Sequence, residues 1–274
     1  MPVTTPVGPG PATGPAGVPV LQRREQIAGL VELTSRVSVA ELAARFGVTE
    51  VSIRRDLTVL EEQGMLRRVH GGAVLLDQEH GRRAFALRER TARAEKRRIG
   101  MAAAALVRQG DVVVFDSGST VVQVAAQISR PLRRSNTLTV VTNSLPVIDE
   151  VGRWDTPHLM CLGGLYLPDH QSLVGPQTVV DMQALSADIA FLGCDGLTAR
   201  TGLTTPHVLA AEVGAVIASR ARRVVVVADS SKIGREGFTR IIPLADVHVL
   251  VTNVGADPEE LERARGAGVE VILA

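Results

Sequence analysis

The stretch Val48–Val74, VTEVSIRRDLTVLEEQGMLRRVHGGAV, decides how the N-terminal part of the chain is read. Ile53, Leu57 and Leu60 recur at i, i+4 and i+7, so they share one helix face, with Thr49 as N-cap and Gly64 as the stop. Thr49, Ser52 and Arg55 fall at i, i+3 and i+6 on the opposite face. A helix buried on one side, with hydroxyls and a guanidinium on the other, suits a DNA major groove. Arg54 lies about 100° round the wheel and is expected on a phosphate or paired with an acid such as Asp56. MLRRVHGGAVLL then reads as two short strands joined by a His-Gly-Gly turn. Arg67, Arg68 and His70 on that hairpin are placed to reach flanking phosphates, and Gly71-Gly72 permits close approach.

Upstream, Ile27, Leu30, Val31 and Leu33 form one helical stripe, and Val39, Leu42, Ala43 and Phe46 a second, with Ser38 as its N-cap. Helix, helix, turn, helix and hairpin is the order of a winged helix-turn-helix, here spanning residues 21–76. Residues 1–20 are rich in Pro and Gly and carry no charged side chain, which predicts a disordered tail. Residues 77–93 are Arg-rich and weakly patterned, a linker with some helix. Residues 94–274 form the second domain. They open with a helix to about Arg108 and then alternate strand-like and helix-like runs: VVVFD, LTVVTN, HLMCLGG, DIAFLGC, RVVVVAD, VHVLVTN and VEVIL. These runs are almost continuously apolar and β-branched, as in strands covered on both faces, which predicts an open, mainly parallel α/β domain.

Composition narrows the partners. The 274 residues carry a formal net charge of +1, so any nucleic-acid surface is local. Of 30 basic residues only Lys96 and Lys232 are lysines, and a lysine kept against such a bias calls for a specific reason. Cys161 and Cys194 lack the spacing of a disulfide framework or a zinc site and are expected to be buried thiols in a reducing cytosol. No run approaches the roughly 18 apolar residues of a membrane span, and the start lacks a signal-peptide pattern, which predicts a cytoplasmic protein. No metal or other cofactor is predicted.

In open parallel sheets, ligands bind outside the carboxyl ends of the strands. Small polar residues gather at those places: Asp116, Ser117, Gly118, Ser119 and Thr120 after the first strand, and Thr142-Asn143-Ser144 after the second. Gly163-Gly164 allows backbone approach after the third, and Asp195-Gly196 and Asp229-Ser230-Ser231-Lys232 complete the ring. The Ser117–Thr120 loop offers hydroxyls and N–H groups at a helix start, which suits a phosphate.

RREQI, VSVAELAARFGVTEVSIRRDL and RRVHGGAV resemble the N-terminal domain of the DeoR family of bacterial transcriptional regulators. Ser52 stands where that family commonly has Thr, so the hydroxyl is kept and the methyl lost. EKRRIG, FDSGST, VVTNS, GG, LVGP, DIAFLGCDGL and ADSSK resemble the family's sensor domain, which is similar in fold to ribose-5-phosphate isomerase. Both lysines fall in these motifs. The resemblance implies a repressor of carbohydrate genes that binds double-stranded operator DNA as a homo-oligomer, dimer or tetramer, under control of a phosphorylated sugar effector. It implies that the phosphate sits in the Ser117–Thr120 loop and that Asp116, Thr142, Asn143, Asp195 and Lys232 contact the ligand. The alternative is a sugar-phosphate isomerase-like enzyme carrying a DNA-binding domain. Such an enzyme needs a carboxylate base over the substrate carbon. The isomerases that this domain resembles carry an acidic cluster after the Asp-Gly pair, where Leu197-Thr198-Ala199 stands here, so no catalytic residue is assigned.

Overall fold

The computed structural model describes residues 18–75, 78–155 and 158–274. The predicted tail therefore lies outside the described residues up to position 17, as does the boundary at 76–77. The N-terminal domain runs α1 (Val20–Thr34), β1 (Arg36–Ser38), α2 (Val39–Phe46), α3 (Glu50–Glu62), β2 (Arg67–Val69) and β3 (Gly72–Val74). Ser38 closes a capping box with Glu41 at the start of α2, and the Thr49 hydroxyl accepts from the Ser52 N–H at the start of α3. Ile53, Leu57 and Leu60 are buried with Ile27, Val31, Leu42 and Phe46, each large apolar side chain contributing roughly 1.5–3 kcal/mol. The wing is a three-stranded antiparallel sheet in the order β1-β3-β2. Gly72 serves this sheet: a Cβ there would lie 2.1 Å from the Val37 carbonyl oxygen. The close approach it permits is to β1.

Asp56 corrects one expectation. Two residues along a helix is about 200° of turn, so Asp56 faces away from Arg54 and into the domain. It is buried and accepts from Arg23 at 2.7 Å and Arg24 at 2.8 Å, pinning α1 to α3. Asp56→Ala leaves Arg23 buried without its carboxylate. We expect a loss of about 3 kcal/mol, the low end for a broken buried pair because Arg24 is already a quarter exposed. A lower urea midpoint for the N-terminal domain would register it.

The connector is helical: α4 (Gln78–Arg90) leads into α5 (Arg93–Ala104). The second domain continues β4 (Val112–Phe115), α6 (Ser119–Gln127), α7 (Arg130–Arg134), β5 (Thr139–Thr142), α8 (Leu145–Val151), β6 (His158–Cys161), β7 (Leu165–Leu167) and β8 (Ser172–Val174). It then runs α9 (Pro176–Gln183), β9 (Ala187–Leu192), β10 (Gly196–Thr198), β11 (Gly202–Thr205), α10 (Val208–Ser219) and β12 (Ala221–Val227). It ends with β13 (Thr239–Ile242), β14 (Val249–Thr252), α11 (Pro258–Gly266) and β15 (Glu270–Leu273). The seven runs read from the sequence form one parallel sheet in the order β15-β14-β12-β9-β4-β5-β6. Its two faces carry separate apolar clusters, one around Leu192, Val226 and Leu250 and the other around Phe115, Phe191 and Val251. That is why the strands lack polar alternation.

Two small additions escaped the strand pattern, the hairpin β7-β8 and an antiparallel sheet β10-β11-β13. Cys161 also departs from expectation: it is exposed, because β6 is an edge strand. Cys194 is half-buried, and burial pushes its thiol up to about 12. Among the described residues no helix is long and apolar enough to cross a membrane.

Candidate functional site

The strand order sets the place of the cavity. From β4 the chain steps outward through β5 and β6, then returns to β9 on the other side of β4 and proceeds through β12, β14 and β15. The switch point therefore lies between β4 and β9, where their C-terminal loops part and leave a crevice. One cavity opens there. It is lined by Asp116, Ser117, Gly118, Ser119 and Thr120 after β4, by Gly193, Cys194 and Asp195 after β9, and by Asp229 and Lys232 after β12. Arg88 from α4, Lys96 from α5, His170 and Thr205 complete its polar wall. The two lysines of the chain thus meet in one place, which answers the compositional oddity.

The Ser117–Thr120 loop enters α6 with Gly118 at φ 131° and no side-chain cap. The first N–H groups of α6 have no partner within the helix, so they remain available to an anion. Lys232 follows Asp229 in a single turn of 3-10 helix, and its Nζ stands 3.9 Å from Asp195 Oδ1. Lys96 is buried, donates to the Arg88 carbonyl at 2.5 Å and lies 3.8 Å from Asp229. Burial holds its pKa below the ordinary lysine value, against the attraction of Asp229. Arg88 donates to the Asp169 carbonyl, so the connector helix is tied to the rim.

Asp116 and Asp195 are driven in opposite directions. Burial pushes the Asp116 carboxyl up to about 7, although Ser117 hydrogen bonds oppose it. Asp195 feels burial too, yet the Lys232 and Arg88 charges and the Thr205 hydrogen bond outweigh it and hold the carboxyl below its ordinary value. Thr205 donates to Asp195 at 2.9 Å and fixes its orientation. The cavity therefore holds one anionic carboxylate beside cations, one carboxyl that titrates near neutrality, and a hydroxyl-rich helix start.

Thr142, Asn143, Gly163 and Gly164 are not brought to this cavity. They lie at the C-terminal ends of β5 and β6, on the outer side of β4, and their polar groups are engaged with β4, the β7-β8 hairpin and α9. The Thr142 hydroxyl donates to Phe115 O at 2.6 Å, and the Asn143 amide donates to Leu173 O at 2.9 Å. Gly163 O accepts from the Thr178 hydroxyl, and a Cβ on Gly164 would sit 2.2 Å from that same hydroxyl oxygen. Conversely Arg88, His170 and Thr205 line the cavity and were not foreseen. Lys96 carried a signal in its rarity and Asp229 in its strand end. Arg88 and His170 arrive from a connector and a turn, where no strand-end pattern applies.

The other polar surface is the outer face of α3 with the wing. Arg55, Arg67 and His70 are exposed and make no side-chain hydrogen bond or ion pair among the described residues. Thr49 and Ser52 hydroxyls lie 3.1 Å apart at the helix start. Arg54 pairs with Glu50 at 2.8 Å, and both stay exposed. Arg68 donates to Thr58 at 2.8 Å, and its N–H donates to Glu61 at 2.8 Å, which docks the wing on α3. Thr49, Ser52, Arg54 and Arg55 thus sit on one exposed helix beside the Arg67–His70 hairpin.

A winged helix-turn-helix joined to an α/β domain with a cavity at its switch point defines a two-domain DNA-binding regulator. Residues 23–79 match the DeoR-like helix-turn-helix domain, and residues 91–254 match the DeoR C terminal sensor domain. The chain belongs to the DeoR family of transcriptional regulators. It is 32% identical to the HTH-type transcriptional regulator GlpR of Haloferax volcanii, over 92% of this chain and 96% of that one. It is 31% identical to the transcriptional repressor AccR of Agrobacterium fabrum, covering 85% and 89% of the two chains. The HTH-type transcriptional repressor GlcR of Bacillus subtilis is 28% identical, at 85% and 88% coverage. A solved ribose 5-phosphate isomerase A from Methanocaldococcus jannaschii aligns with TM-score 0.38 and 21% identity, covering 50% of this chain and 53% of that one.

Proposed function

We propose that the protein represses carbohydrate genes as a homo-oligomer, and that a phosphorylated sugar in the switch-point cavity controls its hold on the operator. One observation carries this reading. Both lysines, in a chain whose other Lys/Arg positions are all arginine, converge on a cavity that the Ser117–Thr120 helix start also lines. An ammonium is a compact charge that fits between a phosphate and sugar hydroxyls, which a planar guanidinium does not. Asp195 and Asp116 supply acceptors for sugar hydroxyls, and the α6 N-terminus supplies N–H donors for the phosphate. The names of the relatives, repressors among them, agree with this direction of control. On the DNA side, Thr49, Ser52 and Arg55 are the groups offered to base edges, with Arg54, Arg67, Arg68 and His70 offered to phosphates.

The DNA half of the proposal is tested by enriching a binding sequence from random duplexes and titrating it by fluorescence anisotropy at several salt concentrations. Arg55→Ala is expected to cost about 2 kcal/mol on that sequence. It should also lower the salt slope or relax one base preference, with the second domain still folded. Unchanged affinity and selectivity would remove Arg55 from the interface. The effector half is tested by adding phosphorylated sugars to the same complex, where release of DNA is expected.

A further inference from the structure

A file of charged side chains joins the cavity to the DNA-binding domain. Helix α1 packs against α10, where Gly29 faces Val208. Beside that contact Glu32 is buried, and its Oε2 accepts from the Leu209 N–H at 3.0 Å. Its Oε1 lies 3.4 Å from Nδ1 of His207, the buried N-cap residue of α10. On its far side His207 Nε2 faces Asp169 Oδ2 at 3.6 Å. The His207 ring meets His170 edge-on at 4.9 Å. His170 Nε2 is buried, has no hydrogen-bond partner, and stands 3.8 Å from Asp195 Oδ2. Asp195 and His170 line the cavity, Glu32 belongs to the DNA-binding domain, and a single imidazole separates His170 from Glu32.

Two imidazolium rings this close repel, so the pair favours one proton. With Lys232 occupying Asp195, the position between the two carboxylates of Glu32 and Asp169 is the better one for a cation. Burial opposes a charge on His207, but the carboxylates of Asp169 and Glu32, 3.6 and 3.4 Å from its two ring nitrogens, overcome that and raise it to about 9. Burial and the facing His207 charge hold His170 far below its ordinary value. Arg88, from the connector helix, is the remaining cation acting on His170, Asp169 and Asp195.

We propose that His207 is a charge-controlled latch between the two domains, opened when an anion in the cavity draws Lys232 away from Asp195 and makes His170 the favoured site of the proton. In that step His170 takes a proton from solvent and His207 returns one, so the count is unchanged. Glu32 then faces a neutral ring. A buried carboxylate without its cation is costly, and the α1–α10 contact loosens. The trigger rests on the phosphate reading of the cavity; the latch itself does not.

Hydrogen exchange of the full chain, read by mass spectrometry, tests both parts. His170→Lys places a permanent cation beside His207. Exchange of the amides of residues 207–212 and 28–34 is expected to quicken at least tenfold over wild type. His170→Phe keeps a ring without charge and is expected to quicken it less than threefold. Equal acceleration in the two variants overturns the latch. Glu32→Gln keeps an acceptor for the Leu209 N–H and removes the charge. A histidine whose pKa is raised by folding stabilises the contact below pH 6.5 and loses that contribution as pH climbs through about 9. Raising pH from 7 to 9.5, with rates corrected for intrinsic exchange, should therefore speed exchange at 207–212 in wild type and not in Glu32→Gln. A pH response that persists in Glu32→Gln also overturns the latch. Inorganic phosphate, against chloride at equal ionic strength, should slow exchange at 117–121 and quicken it at 207–212, with neither change in Lys232→Ala. Protection at 117–121 without change at 207–212 overturns the trigger. No change at either segment counts against the phosphate reading, while the latch is judged on the variants.

Discussion

Lys232→Ala is expected to lower affinity for a sugar phosphate about a thousandfold, roughly 4 kcal/mol, and to leave a regulator that binds DNA without releasing it. The magnitude follows from removing one partner of a desolvated charge pair, which costs about 2–5 kcal/mol. Lys232 is only about a fifth exposed and its ammonium lies beside Asp195, so its loss also leaves Asp195 facing the incoming dianion. Two effects act in the same direction: attraction is lost and a repulsion is uncovered. Lys232→Arg keeps the charge but not the shape, and intermediate affinity is expected. Calorimetry of wild type and both variants with one sugar phosphate measures this. Wild-type affinity in Lys232→Ala would place the ligand elsewhere.

The second large effect belongs to Asp116. Its carboxyl titrates near 7 in the folded protein against 3.8 for the free group, and burial is the main cause. A raised carboxyl pKa means that the folded state prefers the protonated form. The contribution to stability is complete below pH 3.8 and is lost as pH rises through 7. At about 1.4 kcal/mol per unit, the full difference is a little over about 4 kcal/mol by pH 8.5. Asp116→Asn cannot ionise and is expected to unfold at higher urea than wild type at pH 8.5 by up to that amount. Below pH 4 the two should differ little. Urea midpoints at both pH values measure it, and an identical difference at the two would remove ionisation as the cause.

Much of this architecture was legible in the residues. VVVF, AFL and VVVV name buried parallel strands because both faces of each are apolar, and the seven runs became the seven strands of the sheet. The caps Ser38 and Thr49 and the Ile53, Leu57, Leu60 stripe were equally direct, since local hydrogen bonds and helical period decide them. The strand order was not legible. Each strand end looks alike in sequence, so Thr142 and Gly164 were grouped with Asp116 and Asp195. Only the position of β4 beside β9 divides the ends that form the crevice from those that hold a hairpin. His170 and Arg88 were hidden for a related reason. They reach the cavity from a turn and a connector helix that are docked on each other by a contact between residues 81 apart in the chain, Arg88 and Asp169.

The central claim is that the cavity between β4 and β9 reads a phosphate and passes the result to the winged helix-turn-helix. The most direct measurement is calorimetric titration of the full chain with a panel of sugar phosphates, each beside the same sugar without its phosphate, repeated with operator DNA bound. At least one sugar phosphate is expected to bind, its unphosphorylated partner to bind at least a hundredfold more weakly, and its affinity to fall when DNA is bound, as linkage requires of a ligand that releases DNA. Equal affinity for a sugar and its phosphate, or affinity untouched by DNA, would contradict the account.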